Sequence, residues 1–171
     1  SNKLGKLKIT GEVKDLNLGS LFTGNQQTNL SIPANIYIED FYIRKPILGD
    51  LKLDQVEVNL ENKKELIFVN LEGNQINGNF YLSEDLTKGL VMSLDYIIFN
   101  SSDENIKNSI WESFPPNLNF PITFFSKEVV LNGEYFGAWS FDFSINKEVI
   151  SFNNLSGSFG EFKIGDRISF P

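Results

Sequence analysis

Residues able to do chemistry are few in this chain, and their spacing forms no reaction centre. There is no His and no Cys in 171 residues. The commonest general base and metal ligand is therefore missing, as is the thiolate nucleophile. Asp54 and Asp142 stand 88 residues apart at matched places in two similar stretches, and two carboxylates are the residue types a general acid–base pair uses. Both fall on the polar side of an alternating run, where solvated carboxylates are ordinary. Gly157-Ser158-Phe159-Gly160 is glycine-rich, but its counterpart around Gly73–Gly78 is rich in Asn instead, and a turn accounts for both. No Gly-x-Ser-x-Gly elbow, phosphate loop or dinucleotide fingerprint is present. Asn29-Leu30-Ser31, Asn100-Ser101-Ser102 and Asn154-Leu155-Ser156 have the form of glycosylation triplets, as expected by chance in so Asn-rich a chain. The reading is a protein that is not an enzyme and that needs no cofactor and no metal.

Composition narrows the remaining classes. Hydrophobic residues make up 41% and aromatic residues 13%, too much for a disordered chain. Sixteen Phe against one Met and two Trp is a β-prone aromatic load. The net charge is −7 and no stretch concentrates Lys or Arg, so nucleic acid is not an expected partner. Without Cys the chain suits a reducing or an oxidising compartment alike. No run of 18 apolar residues occurs, so no segment reads as a membrane-spanning helix. No signal peptide is visible either. Ser1-Asn2 reads as a tag remnant and the chain opens directly on a strand, which suggests residues 1–171 are one segment of a longer protein.

Period-2 alternation supplies the elements. Leu7, Ile9 and Val13 alternate with charged neighbours, and Trp139, Phe141, Phe143 and Ile145 alternate with Ser140, Asp142, Ser144 and Asn146. Leu90, Met92, Leu94, Tyr96 and Ile98 repeat the pattern. The apolar phase slips by one residue at Glu39-Asp40, at Asp54-Gln55 and between Phe124 and Val129, as β-bulges require. Asn132-Gly133 suits a tight hairpin. Together these predict a mainly all-β antiparallel meander of about ten strands. One helix is expected over 101–114, where Ser101 and Glu104 form a capping box, Ile106, Ile110 and Phe114 recur at helical spacing, and Pro115-Pro116 ends the run.

The meander also repeats itself. Pro33 and Pro121, Gly49 and Gly137, and Asp54 and Asp142 keep one offset of 88 residues. After a gap, Phe68–Gly73 matches Phe152–Gly157, and Gly78–Leu82 matches Gly160–Ile164. Internal repeats of about 32–82 and 120–164 follow, and modules of this kind stack into extended surfaces. A meander with one apolar face must cover that face by folding into a sandwich, closing into a barrel, or curling into a trough that takes a ligand.

The Pro-led strand in Phe120-Pro121, the turn at Asn132-Gly133, the step Phe136-Gly137-Ala138-Trp139 and the closing Leu155-Ser156-Gly157 resemble the AsmA-like superfamily, and within it the YhdP-type branch. Leu51–Leu94, with Asn70-Leu71-Glu72-Gly73 and Ile76-Asn77-Gly78, resembles the preceding unit, although Arg44-Lys45 replaces the Asn-Gly turn there. The resemblance implies a long, twisted, open β-groove in the periplasm. It further implies a parent protein held at the inner membrane by an N-terminal helix outside these residues, and a groove that carries phospholipid toward the outer membrane. Phospholipid acyl chains and other envelope proteins are then the expected partners. The apolar side of the alternating runs supplies the expected lining: Ile9, Ile36, Phe41, Leu53, Phe80, Leu94, Phe124, Leu131, Trp139, Phe141, Phe143 and Phe162. Ser140, Asp142, Ser144, Lys8 and Glu12 are expected to face water. The competing expectation is a structural β-scaffold that docks envelope proteins through exposed strand edges.

Overall fold

The computed structural model describes residues 7–17, 36–48, 51–63, 66–83, 85–100, 121–146 and 149–165. The alternating runs form eleven strands: β1 (Leu7–Asn17), β2 (Ile36–Leu48), β3 (Leu51–Lys52), β4 (Val56–Lys63), β5 (Leu66–Gly73), β6 (Ile76–Ser83), β7 (Leu90–Phe99), β8 (Ile122–Leu131), β9 (Glu134–Asn146), β10 (Val149–Phe159) and β11 (Phe162–Ile164). Among the described residues a 3-10 turn, Leu86–Lys88, stands between β6 and β7. The helix expected over 101–114 lies outside the described residues, as do Pro33 and Gly49.

All the strands belong to one sheet. Its path runs β1-β2-β4-β5-β6-β7-β8-β9-β10-β11, with β3 paired to β2 beside it. Among the described residues the path ends at β1 and β11 and does not close on itself, an open meander and not a barrel. Most neighbours are antiparallel, as the tight hairpin turns predict. Asn132-Gly133 takes positive φ at both residues (51° and 80°), the geometry of a tight type I′ hairpin.

Two joints depart from a purely antiparallel meander: β1 lies parallel to β2, and β7 lies parallel to β8. Alternation tells which face a residue takes but carries no information on strand direction. A parallel neighbour needs a long connection back along the strand, and residues 18–35 and 101–120 stand at these two places. Between the joints lie five strands of the path, β2, β4, β5, β6 and β7. After the second joint, β8, β9, β10 and β11 follow in the same succession of senses.

Bulges bend individual strands near their middles. An extra residue falls in β2 between Ile38 and Phe41, where Asp40 has φ 50°. Others fall at Asp95 in β7, between Ser126 and Val129 in β8, and at Asn154 (φ 51°) in β10. The slips at Glu39-Asp40 and before Val129 match the sequence pattern. Three details differ. Asp54-Gln55 is a break between β3 and β4 and not a bulge. Gly137 (φ 73°), expected with Gly49 at equivalent turns of the two repeats, sits at an irregularity inside β9 and not at a turn. The bulge at Asp95 shifts the apolar phase from Leu94 to Ile97 and Phe99, away from Tyr96 and Ile98. Four apolar residues in a row, Tyr96–Phe99, left that shift unmarked in the sequence.

Extra residues increase local twist and bend the strand that carries them. Here such bends recur in β2, β7, β8 and β10, in keeping with an open β-groove. Packing agrees with that shape. Leu53, Val56, Leu71, Ile76, Leu94 and Ile97, drawn from β4 to β7 and the loops beside them, gather into one cluster with exposures of 1–9%. Among the described residues no second layer lies on that side, and a flat single layer would leave such side chains far more open to water.

Candidate functional site

Directly opposed residues in neighbouring strands point to the same face of a sheet. Following the register from strand to strand therefore maps each face. One row runs Ile9–Ile38–Leu60–Val69–Phe80–Met92–Phe124–Phe141 across eight strands without a polar residue. A second runs Ile67–Leu82–Leu90–Ile122–Phe143–Phe152. A third, Phe41–Val58–Leu71–Gly78–Leu94–Ser126–Trp139–Gly157–Ile164, is interrupted only by small residues. The expected lining residues Ile9, Phe41, Phe80, Leu94, Phe124, Leu131, Trp139, Phe141 and Phe143 all lie on this one face, and Leu53 packs against it. The side chains of Ile36 and Phe162 lie outside the described residues.

Burial divides the face into a closed floor and open ends. Leu94, Phe143 and Leu53 are 1%, 4% and 6% exposed, whereas Ile9 is 38% exposed. Leu94 and Leu53 therefore belong to a packed core, more enclosed than a lining. Phe80, Met92, Phe124 and Phe141 are half-buried. Phe124 and Phe141 stack at 4.7 Å between ring centroids, and Phe141 meets Phe152 edge-on at 5.5 Å. Phe152 is 41% exposed, so this aromatic ladder opens toward water at the β10 side. Trp139 lies over its cross-strand partner Gly157 and donates its indole N–H to the Phe136 carbonyl at 2.8 Å.

The opposite face is more polar, although Tyr37, Phe68, Tyr81 and Val91 also lie on it. Ser140, Asp142 and Ser144 lie on it together with Lys8 and Glu12, as expected from their alternation. Asp142 accepts hydrogen bonds from the Thr123 hydroxyl (2.8 Å) and the Asn154 amide (2.6 Å). Asp54 lies in the break before β4, where its backbone N–H donates to Gln75 Oε1 (2.5 Å). Asp54 stands beside β4 and Asp142 on β9, five steps apart along the sheet, so the two carboxylates do not meet. The Lys8 ammonium bridges Glu39 (2.8 Å) and Asp40 (3.5 Å). Its hydrogen bond to Glu39 raises its pKa above the ordinary lysine value. Lys127 holds Asp95 at 2.5 Å, tying the bulges of β7 and β8 together.

A shallow cavity of about 520 Å³ on this side is lined by Lys8, Tyr37, Glu39, Asn59, Glu61 and Phe68 among others. Phe68 meets Tyr81 edge-on at 5.3 Å. Phe125 is 4% exposed though its register partners there are Ser93 and Ser140. An aromatic on the polar side of a strand breaks the alternation, and the adjacent Phe124-Phe125 pair was the only hint of it.

Among the described residues no group of three or more acidic residues is placed to hold a metal ion. No helix among them is long and apolar enough to cross a membrane. Comparison with protein-family models, with curated proteins and with solved structures finds no match to this chain.

Proposed function

We propose that this chain is a non-enzymatic segment of a hydrophobic groove that conducts phospholipid acyl chains across the periplasm, as its resemblance to YhdP-type AsmA-like proteins implies. The observation that carries the reading is the unbroken apolar row from Ile9 to Phe141, which crosses eight strands of a sheet that does not close among the described residues. Moving an acyl chain through water costs about 0.8 kcal/mol per CH₂, so a ~16-carbon tail costs roughly 13 kcal/mol unshielded. Non-directional contacts with Phe, Met, Leu and Ile offset much of that cost without fixing the lipid at one point. The half-buried ladder Phe80–Met92–Phe124–Phe141 is the part of the face left accessible for such contact.

Mass spectrometry of the purified protein tests the proposal: phospholipid should co-purify. Photo-crosslinking side chains at Met92 and Phe141 should capture it, and the same groups at Ser140 and Ser144, on the other face, should not. A folded protein that carries no lipid, or equal labelling of both faces, would overturn the reading.

The packing favours a second reading for part of the molecule. Val56, Leu71, Leu94 and Ile97 are 3%, 9%, 1% and 6% exposed, so this stretch is a closed core. In a structural β-scaffold that docks envelope proteins, such a core would be the purpose of the whole face. Lipid capture at Met92 and Phe141 separates the two.

A further inference from the structure

We propose that the two edges of the sheet that no described strand covers, those of β1 and β11, are complementary, so that β11 of one copy of this chain pairs antiparallel with β1 of a second copy, head to tail. The proposal goes beyond lipid conduction and does not depend on it. It rests on the fact that the same joint already exists inside the chain, between β6 and β7.

Strand β1 stands to β2 as β7 stands to β8. Each is the parallel partner at an entry joint, and Ile9↔Ile38 and Leu94↔Ser126 are the last pairs before the bulge of β2 and of β8. Ile9 thus occupies the place of Leu94. In the same way β11 follows β10 as β6 follows β5. Phe159 and Phe162 flank the two-residue turn Gly160-Glu161, as Gly73 and Ile76 flank Asn74-Gln75. Counting from each turn, Ile164 occupies the place of Gly78, whereas the sequence match sets it against Leu82. Inside the chain, Gly78 lies directly opposite Leu94 in the antiparallel β6–β7 pairing. The corresponding pair between copies is Ile164 opposite Ile9.

Exposure points the same way. Leu94, with both neighbours in place, is 1% exposed, whereas Ile9 is 38%, Leu7 54% and Ile164 48% exposed. Phe159, beside β11, is 40% exposed. Among the described residues no strand covers either edge. An uncovered edge with apolar side chains is a template for strand addition. Lys8 and Lys14, which would blunt the β1 edge, stand on the polar face and leave the apolar one unprotected. Two β-branched residues directly opposed make a favourable cross-strand pair. Register and face both match, so the apolar rows would continue from one copy into the next. Because two different surfaces meet, the contact is heterologous and leaves each pair with a further edge for the next copy.

The absence of Cys makes the test clean. Ile9→Cys and Ile164→Cys proteins, mixed under mild oxidation, should form a disulfide-linked dimer at least tenfold faster than Lys8→Cys mixed with Ile164→Cys. A one-residue slip puts Lys8 on the wrong face. All three positions are exposed, and circular dichroism verifies that each variant keeps its strands. Sedimentation of the unmodified chain should show mass rising with concentration, and Ile9→Lys should abolish the rise. Equal crosslinking of the Ile9 and Lys8 variants, self-linking of Ile9→Cys alone as the main product, or a mass that does not change with concentration would overturn the proposal.

Discussion

Replacing Gly157 by Ala is expected to destabilise the protein only while Trp139 is present. Gly157 is buried opposite Trp139 in the β9–β10 pairing. A Cβ there would fall 2.8 Å from Cζ3 of the indole and closer still to Cε3 and Cδ2, inside any real contact distance. The ring must swing away and lose its 2.8 Å bond to the Phe136 carbonyl. Overpacking of this kind costs about 1–3 kcal/mol, and a lost hydrogen bond about 1 kcal/mol. Removing a Gly from a strand returns about 0.5–1 kcal/mol. Gly157→Ala should therefore cost about 1–3 kcal/mol in the natural chain. In a Trp139→Ala background it should be stabilising by about 0.5–1 kcal/mol. Urea titrations followed by far-UV circular dichroism give both values, and the double-mutant cycle should show coupling of about 1.5–4 kcal/mol, the difference between them. Coupling below about 0.5 kcal/mol, within the scatter of independent sites, would mean that the ring does not lie on Gly157.

Other outcomes follow from the same packing. Leu94→Ala should cost about 2–5 kcal/mol, whereas Leu7→Ala on the same face should stay within about 0.5 kcal/mol; chemical denaturation distinguishes them. Gly78→Ala should lower the denaturation midpoint sharply, because φ is 146° and the new Cβ would meet the Leu94 Cα at 2.6 Å and the Ser93 carbonyl. Phe141→Asp should abolish phospholipid co-purification in a protein that still folds, since an unpaired carboxylate in an apolar path costs several kcal/mol, on the order of 2–7 for a polar group alone. The raised pKa of Lys8 means that its pairing with Glu39 stabilises the fold fully below the ordinary lysine value, and that this contribution fades as pH rises through the raised one. Lys8→Met should remove that alkaline slope from a pH series of thermal melts.

Much of the fold was legible because a half-buried strand writes its face into every second residue. Ile36–Ile43 shows this down to its bulge, since Glu39-Asp40 is an unambiguous polar pair between apolar partners. Where apolar residues are adjacent the code fails: Tyr96–Phe99 hid the bulge at Asp95, and Phe124-Phe125 hid an aromatic on the polar side. The parallel joints were illegible for a different reason, because direction is decided by the connection and not by the strand. Of the expected lining, the face was readable but the depth was not. Leu94 and Ile9 look alike in sequence, and only their places in the sheet separate 1% from 38% exposure.

The parallel joint has a metric consequence. Every strand between joints adds about 4.8 Å across the sheet, so the five strands from β2 to β7 amount to a step of about 24 Å on the same spacing. Lengthening a strand would deepen or widen the trough, whereas only adding strands would extend its reach. An odd number of strands per step returns the chain to the same rim, pointing the same way, each time. Reach is thereby counted in whole steps, like divisions on a ruler, and the number of joints in a chain sets the distance its sheet can span.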